Sequence, residues 1–260
     1  MWGMDTMNDQ EYLKRYTVSS SVDWIHGIKA PNDSVPCKIT FKMQAPIYLG
    51  HPWINLDSLL TYCVLQDQFG DEIVNLPNKI PIDLGNVDIP VTNTLGVNHT
   101  SISFFNDELK VLDQNDFQLD TIYKRFEGKD TDYLKPNKRK GKIRKGSGKF
   151  RNFWLRLPYL TPQTVVFYAN GNIEGLKYLL DNIHTLGLKR SINAMNIKSV
   201  KIKEIETDMS LEHEEKAMRP LPCKKWGAGY NNVNLAYKPP YWDKKNVEMC
   251  IFPLSKIVCA

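Results

Sequence analysis

The clearest structural signal in the sequence is the heptapeptide Cys37-Lys38-Ile39-Thr40-Phe41-Lys42-Met43, in which apolar and polar residues alternate. Alternation with a period of two predicts a β-strand that buries one of its faces. The dipeptide Ala45-Pro46 should end this strand, because proline cannot donate a hydrogen bond to a neighbouring strand.

The residues that follow predict a helix that begins after Asn55 and ends before Gly70. Asn55 is a suitable N-cap and Gly70 a suitable residue just past the end. Apolar side chains recur between them at helical spacing, at Leu56, Leu59, Leu60, Cys63 and Val64.

The second half of the chain repeats this pattern. Residues 150–157 and 164–169 read as strands, and a helix should start at Gly171-Asn172 and end at Gly187. Residues 197–206, with lysines alternating against apolar residues, predict a last strand. The order strand, helix, strands, helix, strand is typical of an α+β protein with a ferredoxin-like (RRM-like) fold.

The domain organisation follows from these elements. Residues 1–34 lack periodicity and are interpreted as an N-terminal extension, and residues 35–223 as the ferredoxin-like domain. Prolines and short apolar pieces in residues 72–149 predict a long insertion of hairpins, in which His99 to Phe105 could form a strand. Residues 224–260, rich in proline and aromatic residues, are expected to pack on the domain as a tail.

Composition narrows the class of protein. A hydrophobic fraction of 42% is sufficient for a buried core. No apolar run approaches 18 residues, and the first residues do not resemble a secretory signal, so we expect a cytoplasmic protein without a membrane segment. The five cysteines form no CxxC pair and lie at no finger-like spacing from a histidine, so we expect neither a metal nor a cofactor.

Charge is concentrated in one segment. The chain has a net charge of +5, yet no acidic residue interrupts residues 135–151, so the remaining residues are acidic on balance. Such a run, followed by Phe150, Phe153 and Trp154, predicts contact with nucleic-acid phosphates and, through the aromatic faces, with unpaired bases. The basic residues of this segment are Lys135, Lys138, Arg139, Lys140, Lys142, Arg144, Lys145, Lys149 and Arg151.

A second candidate site is the loop between the second predicted helix and the last strand, Gly187-Leu188-Lys189-Arg190-Ser191-Ile192-Asn193. Glycine and small polar residues let backbone N–H groups approach a phosphate, and the two cations supply positive charge. An ordinary helix end with cations beside its carbonyl groups would have the same pattern.

Six motifs follow one another along the chain: Ile39 to Gly50, Asn55 to Tyr62, Gly148 to Arg151, Val166 to Asn172, Leu186 to Ser191 and Arg219 to Pro222. Together they resemble the RAMP superfamily of CRISPR RNA-binding proteins, and are most similar to its five-type subunit in type IV complexes. They span about residues 35 to 223, and the chain departs from the family pattern where Asn193-Ala194-Met195-Asn196 replaces further glycines.

This resemblance implies a RAMP fold with an inserted basic β-hairpin, or thumb, and a non-catalytic function in defence against viruses and plasmids. The protein would bind the 5′ handle of the crRNA and cap the backbone filament of a ribonucleoprotein. It would contact a seven-type backbone subunit and a large subunit directly. Its association with the target DNA would be indirect. The RNA-binding residues would be Lys138, Arg139, Lys140, Lys142, Arg144, Lys145, Lys149, Arg151, Gly187, Lys189, Arg190 and Ser191.

Two alternatives remain open at this point. The first is a metal-independent ribonuclease that processes crRNA precursor, with His51 or His184 as general base. The second is a stand-alone basic protein that binds duplex DNA. Phosphate-binding loops of nucleotide hydrolases, dinucleotide-binding fingerprints and HExxH zinc motifs are absent from the sequence.

Overall fold

A computed structural model describes residues 33–70, 87–125, 146, 151–188 and 196–258. Its main elements in chain order are β1 (Val35–Met43), β2 (Ile47–Tyr48), α1 (Leu56–Phe69), β3 (Asn93–Thr94), β4 (Val97–Asn98), β5 (Phe104–Phe105), β6 (Gln118–Lys124), β7 (Phe153–Leu160), β8 (Thr164–Gly171), α2 (Ile173–Asp181) and β9 (Ile197–Glu204). The C-terminal part adds β10 (Glu212–His213), β11 (Lys216–Ala217), β12 (Leu221–Pro222), α3 (Cys223–Trp226), β13 (Ala228–Gly229), β14 (Asn232–Ala236), β15 (Val247–Ile251) and β16 (Ile257–Val258). The fold is therefore α+β, with antiparallel sheets and few helices, as expected at that level from the sequence.

The main sheet has the strand order β5-β8-β1-β9, and every neighbouring pair is antiparallel. Helix α1 connects β1 to the segment that leads to β5, and α2 connects β8 to β9. Both helices lie on one face, where β1 contributes the buried side chains of Cys37, Ile39 and Phe41. The alternation of residues 37–43 thus places every second side chain in the core.

The opposite face of the main sheet is covered over β5 and β8. Phe104, Val166 and Tyr168 pack there against Trp53 and Met218, with Phe252 and Leu254 at the margin. The C-terminal part thereby closes a second core on the face without helices. Its own sheet, in the order β12-β15-β14, packs around a third cluster that includes Leu221, Tyr237 and Ile251.

A buried ion pair ties the C-terminal part to the first helix. Arg219 is 1% exposed and donates to the carboxylate of Asp57, which is 0% exposed, at 2.9 Å. The same guanidinium donates to the carbonyls of Asn98 and Tyr237, each at 2.7 Å, and to the hydroxyl of Tyr241 at 2.8 Å. Burial alone lowers the pKa of Arg219, but Asp57 and Tyr241 raise it overall, so the guanidinium keeps its charge.

Most predicted elements of the main sheet are confirmed, with differences at their ends. Helix α2 ends at Asp181 instead of near Gly187, and a turn closed by the Ile183 N–H to the Leu180 carbonyl replaces its predicted last turns. In residues 99–105 only Phe104–Phe105 is a strand, since the preceding residues make isolated bridges. Strand β7 runs from Phe153 to Leu160, so it begins and ends three residues later in the chain than predicted.

Candidate nucleic-acid interface

The predicted basic segment lies largely outside the described residues. This holds for Lys138, Arg139, Lys140, Lys142, Arg144, Lys145 and Lys149. Arg151, the last predicted contact of the segment, is described and is exposed just before β7.

Strands β6 and β7 flank that segment in the chain and pair with each other in antiparallel register. Tyr123 lies opposite Trp154, Thr121 opposite Arg156, and Leu119 opposite Pro158. Because directly opposed residues of an antiparallel pair project from the same face, these six side chains share one face of the two strands. We call it the aromatic hairpin face.

This face is open to solvent. The side chain of Tyr123 is 75% exposed and that of Trp154 is 70% exposed, and Arg156 is also exposed. Two large rings side by side beside an arginine, without a covering layer in the described part of the protein, form a surface on which planar, negatively charged ligands can stack. Phe153 points to the other, half-buried face.

The two strands are rooted in the domain through β2, which pairs with the end of β7 at Ile47–Leu160 and Tyr48–Tyr159. The hydroxyl of Tyr48 donates to the Asp120 carboxylate at 2.6 Å. This hydrogen bond is the main reason that the pKa of Tyr48 is raised to about 12. The root of the hairpin is therefore fixed by a charge-assisted hydrogen bond between β2 and β6.

The start of the Gly187 loop lies against the same root. Gly187 has a φ of +91°, and a Cβ atom there would lie 2.5 Å from the Tyr48 carbonyl oxygen. The Leu188 N–H donates to that carbonyl at 2.7 Å. The start of the Gly187 loop thus packs against β2, which pairs with the end of β7 away from the basic segment, and the glycine is required by packing against Tyr48.

The far end of this loop is closed by Asn196, which is buried. Its amide group accepts from the Leu186 N–H at 2.8 Å and donates to the Leu186 carbonyl at 2.9 Å, so one side chain holds both ends of the loop. Lys189, Arg190 and Ser191 lie outside the described residues. No local sequence signal indicates this role of Asn196, because its contacts with Leu186 join residues 10 positions apart.

The two histidines considered as general bases lie in different surroundings. His51 makes an edge-on contact with Trp53, with 4.2 Å between ring centroids, and burial lowers its pKa. His184 lies in a groove between α1 and α2, near Gln66 and Asn182. Within the described ranges, neither imidazole forms a hydrogen bond to a carboxylate that could orient it.

A third histidine, not considered from the sequence, does have such a partner. Nδ1 of His99 lies 3.4 Å from the Asp208 carboxylate, and Nε2 lies 2.7 Å from the Thr94 hydroxyl. Burial raises the pKa of Asp208, but hydrogen bonds from His99, Ser210 and Asn170 lower it well below its usual value. The cluster joins the β3–β4 hairpin to the segment after β9, a contact across 109 residues that sequence spacing could not indicate.

Among the described residues, no group of three or more His, Cys, Asp or Glu side chains is arranged to hold a metal ion. In the same part of the chain, no helix is long and apolar enough to cross a bilayer.

Together these features define an α+β protein of antiparallel sheets that carries an exposed aromatic and cationic hairpin. The sequence model of the family described as CRISPR type IV associated protein Csf3 matches residues 97–253, which is more than half of the chain. The chain therefore belongs to this family of type IV CRISPR-associated proteins, which confirms the type IV association expected from its motifs. No curated protein matches the chain.

Proposed function

We propose that this protein is a non-catalytic RNA-binding subunit of a type IV CRISPR ribonucleoprotein, and that it holds the 5′ handle of the crRNA. The observation that carries this proposal is the aromatic hairpin face. Tyr123, Trp154 and Arg156 are exposed on it, on the two strands that the basic segment connects.

Aromatic faces and cations contribute different parts of the binding free energy. Phosphate neutralisation by lysine and arginine provides affinity that is independent of sequence. Stacking of a base on an aromatic side chain adds about 1–3 kcal/mol per base. A surface with both suits a single-stranded segment with unstacked bases better than a duplex, whose bases are not free to stack on a side chain.

The topology supports the assignment of the domain to the RAMP superfamily. The strand order β5-β8-β1-β9, with helices between β1 and β5 and between β8 and β9, is what a ferredoxin-like βαββαβ chain requires. In this proposal the β6–β7 strands and the segment between them form the thumb. The Gly187 loop at their root is a second phosphate contact.

Assembly is part of the proposal. The subunit would cap a filament of seven-type backbone subunits, contact a large subunit, and meet target DNA through the pairing of the guide. The family's association with type IV CRISPR systems supports this context.

A binding experiment with single-stranded RNA that carries the repeat-derived handle tests the electrostatic part. Charge reversal of Lys142, Arg144 and Lys145 to Glu should weaken binding and flatten its salt dependence, because fewer counterions are released. Reversal of Lys224, Lys244 and Lys245, three exposed lysines of the C-terminal part, changes the net charge equally and is the matched control. Equal effects of the two triple variants would contradict a local RNA site.

The stacking part is tested by Trp154→Ala, which should raise the Kd for this RNA by about tenfold or more, as expected for the loss of one stacked base. Trp242→Ala removes another tryptophan that is 75% exposed and should leave the Kd unchanged. Incubation of the same RNA without metal separates this function from the ribonuclease. Specific cleavage that is lost on changing His51, His184 or His99 would overturn the non-catalytic assignment.

A further inference from the structure

A row of lysines lies on the face of the main sheet that carries no helix. In the register of β1 with β9, Lys38 lies opposite Lys203, Thr40 opposite Lys201, and Lys42 opposite Ser199. All six side chains project from one face, since paired residues of antiparallel strands share a face. We call Lys38, Lys42, Lys201 and Lys203 the lysine strip.

The strip is the part of this face that the C-terminal segment leaves open. On the same face, Val166 and Tyr168 of β8 are buried beneath Trp53 and Met218. On the neighbouring strand β1, Lys42 is exposed and Lys38 is half-buried, and on the next strand, β9, Lys201 and Lys203 are exposed. This face of the sheet is therefore apolar and covered at β8 but cationic and exposed at β1 and β9.

Little negative charge compensates the strip. Asp107 pairs with Lys38 at 2.7 Å, and in the described part of the chain no ion pair involves Lys42, Lys201 or Lys203. Glu204 is opposite Cys37 in the register and so projects toward the helix-covered face. Lys38 is thus compensated within the chain, and the charges of Lys42, Lys201 and Lys203 are the ones open to an anionic ligand.

Protection of a sheet edge explains only half of the pattern. Lysines on edge strands keep sheets from pairing with one another, and β9 is an edge strand. Strand β1 is internal, with β8 and β9 on either side, so Lys38 and Lys42 have no such task. The lysines of the two strands form one surface because of their register.

We infer that the lysine strip binds the phosphate backbone of single-stranded RNA, as a contact surface separate from the hairpin and the Gly187 loop. Residues two apart on a strand are about 6.7 Å apart and opposed residues about 5 Å apart, so the strip offers a ladder of cations to successive phosphates. The hydroxyls of Thr40 and Ser199 lie in the same rows and can donate to phosphate oxygens.

The test is the salt dependence of binding to single-stranded RNA with the repeat-derived handle. Neutralisation of Lys42, Lys201 and Lys203 to Gln should lower the slope of log K against log salt by about 2, or about 0.7 for each lost phosphate contact. Lys224→Gln, Lys244→Gln and Lys245→Gln together form the matched control and should leave the slope unchanged.

Three results would overturn the inference: an unchanged slope, an equal loss of slope in the control, or self-association of the strip variant with RNA binding intact. The last result would assign the lysines to edge protection. An unchanged slope accompanied by loss of binding to another subunit would assign the strip to an acidic protein surface.

The inference takes RNA as the ligand from the proposed function but concerns different residues. The charge reversal of Lys142, Arg144 and Lys145 is therefore measured in parallel. If only the strip variant lowers the slope of log K against log salt, the result supports RNA binding by the strip and contradicts RNA binding by the proposed thumb. If only the thumb variant lowers this slope, the result supports the proposed function and contradicts RNA binding by the strip.

Discussion

Replacement of Asp57 by Asn should destabilise the protein severely, because it leaves the buried guanidinium of Arg219 without its counter-charge. The two side chains are 2.9 Å apart and have almost no exposed surface. Removal of one partner from a buried ion pair typically costs about 3–5 kcal/mol, since the remaining charge stays desolvated. This is a large part of the roughly 5–15 kcal/mol by which domains are stable.

Urea unfolding gives the free energy of unfolding for each variant, and Asp107→Asn is the control. Asp107 also accepts from a cation, Lys38, but its side chain is 53% exposed, and exposed pairs typically contribute about 0–1 kcal/mol. Equal losses in the two variants would refute the argument that burial makes the Asp57–Arg219 pair critical.

A double variant separates the pair from general damage at the site. Asp57→Asn combined with Arg219→Met removes the uncompensated charge, so it should be less destabilised than the sum of the two single variants. Because Arg219 also binds the Tyr237 carbonyl and the Tyr241 hydroxyl, the single variant Asp57→Asn should speed hydrogen exchange around these two residues. Additive effects together with unchanged exchange would contradict the role of the pair in anchoring the C-terminal part.

Two further predictions concern Gly187 and the His99 cluster. Gly187→Ala should lower the free energy of unfolding in urea by about 2 kcal/mol or more, because Gly187 has a positive φ and the added Cβ would meet the Tyr48 carbonyl. Gly70 also has a positive φ but has nothing within 4 Å of an added Cβ, so Gly70→Ala should lower it by only about 1 kcal/mol, and equal losses would show that the contact with Tyr48 does not matter. Hydrogen bonds from His99 and its neighbours depress the pKa of Asp208 in the folded state, so the stability that Asp208 provides is present above its unfolded pKa of about 3.9 and is lost as pH falls below it. The difference in unfolding free energy between wild type and Asp208→Asn should therefore be constant above about pH 5 and shrink toward pH 3, whereas a difference that does not change with pH would contradict the role of the cluster.

Local patterns predicted the elements of the main sheet well. The alternation in residues 37–43 and the capping residues Asn55 and Asn172 lie where β1, α1 and α2 begin in the structure. The Asn172 side chain accepts from the Gly175 N–H as an N-cap should, whereas Asn55 occupies the cap position without a side-chain hydrogen bond. Signals of this kind are readable because helix ends and strand alternation depend on residues close in sequence.

Contacts between distant residues were not predictable in the same way. The motifs that contain Asp57 and Arg219 are visible in the sequence, but their ion pair joins residues 162 positions apart. The short strands of the C-terminal part carry too few residues for a period to appear, so that part resembled an irregular tail. The lysines of β1 and β9 form a strip only through the register of the two strands, which no local pattern contains.

We propose that this chain holds the handle of the guide RNA through its inserted hairpin. Ultraviolet cross-linking of the assembled type IV complex, followed by mass spectrometry of the RNA-linked peptides, identifies the protein segments that touch the handle. We expect links from handle nucleotides to peptides of β6, β7 and the segment between them, with Tyr123 and Trp154 among the linked residues. Handle nucleotides linked only to other subunits, with no RNA on these peptides, would contradict this proposal.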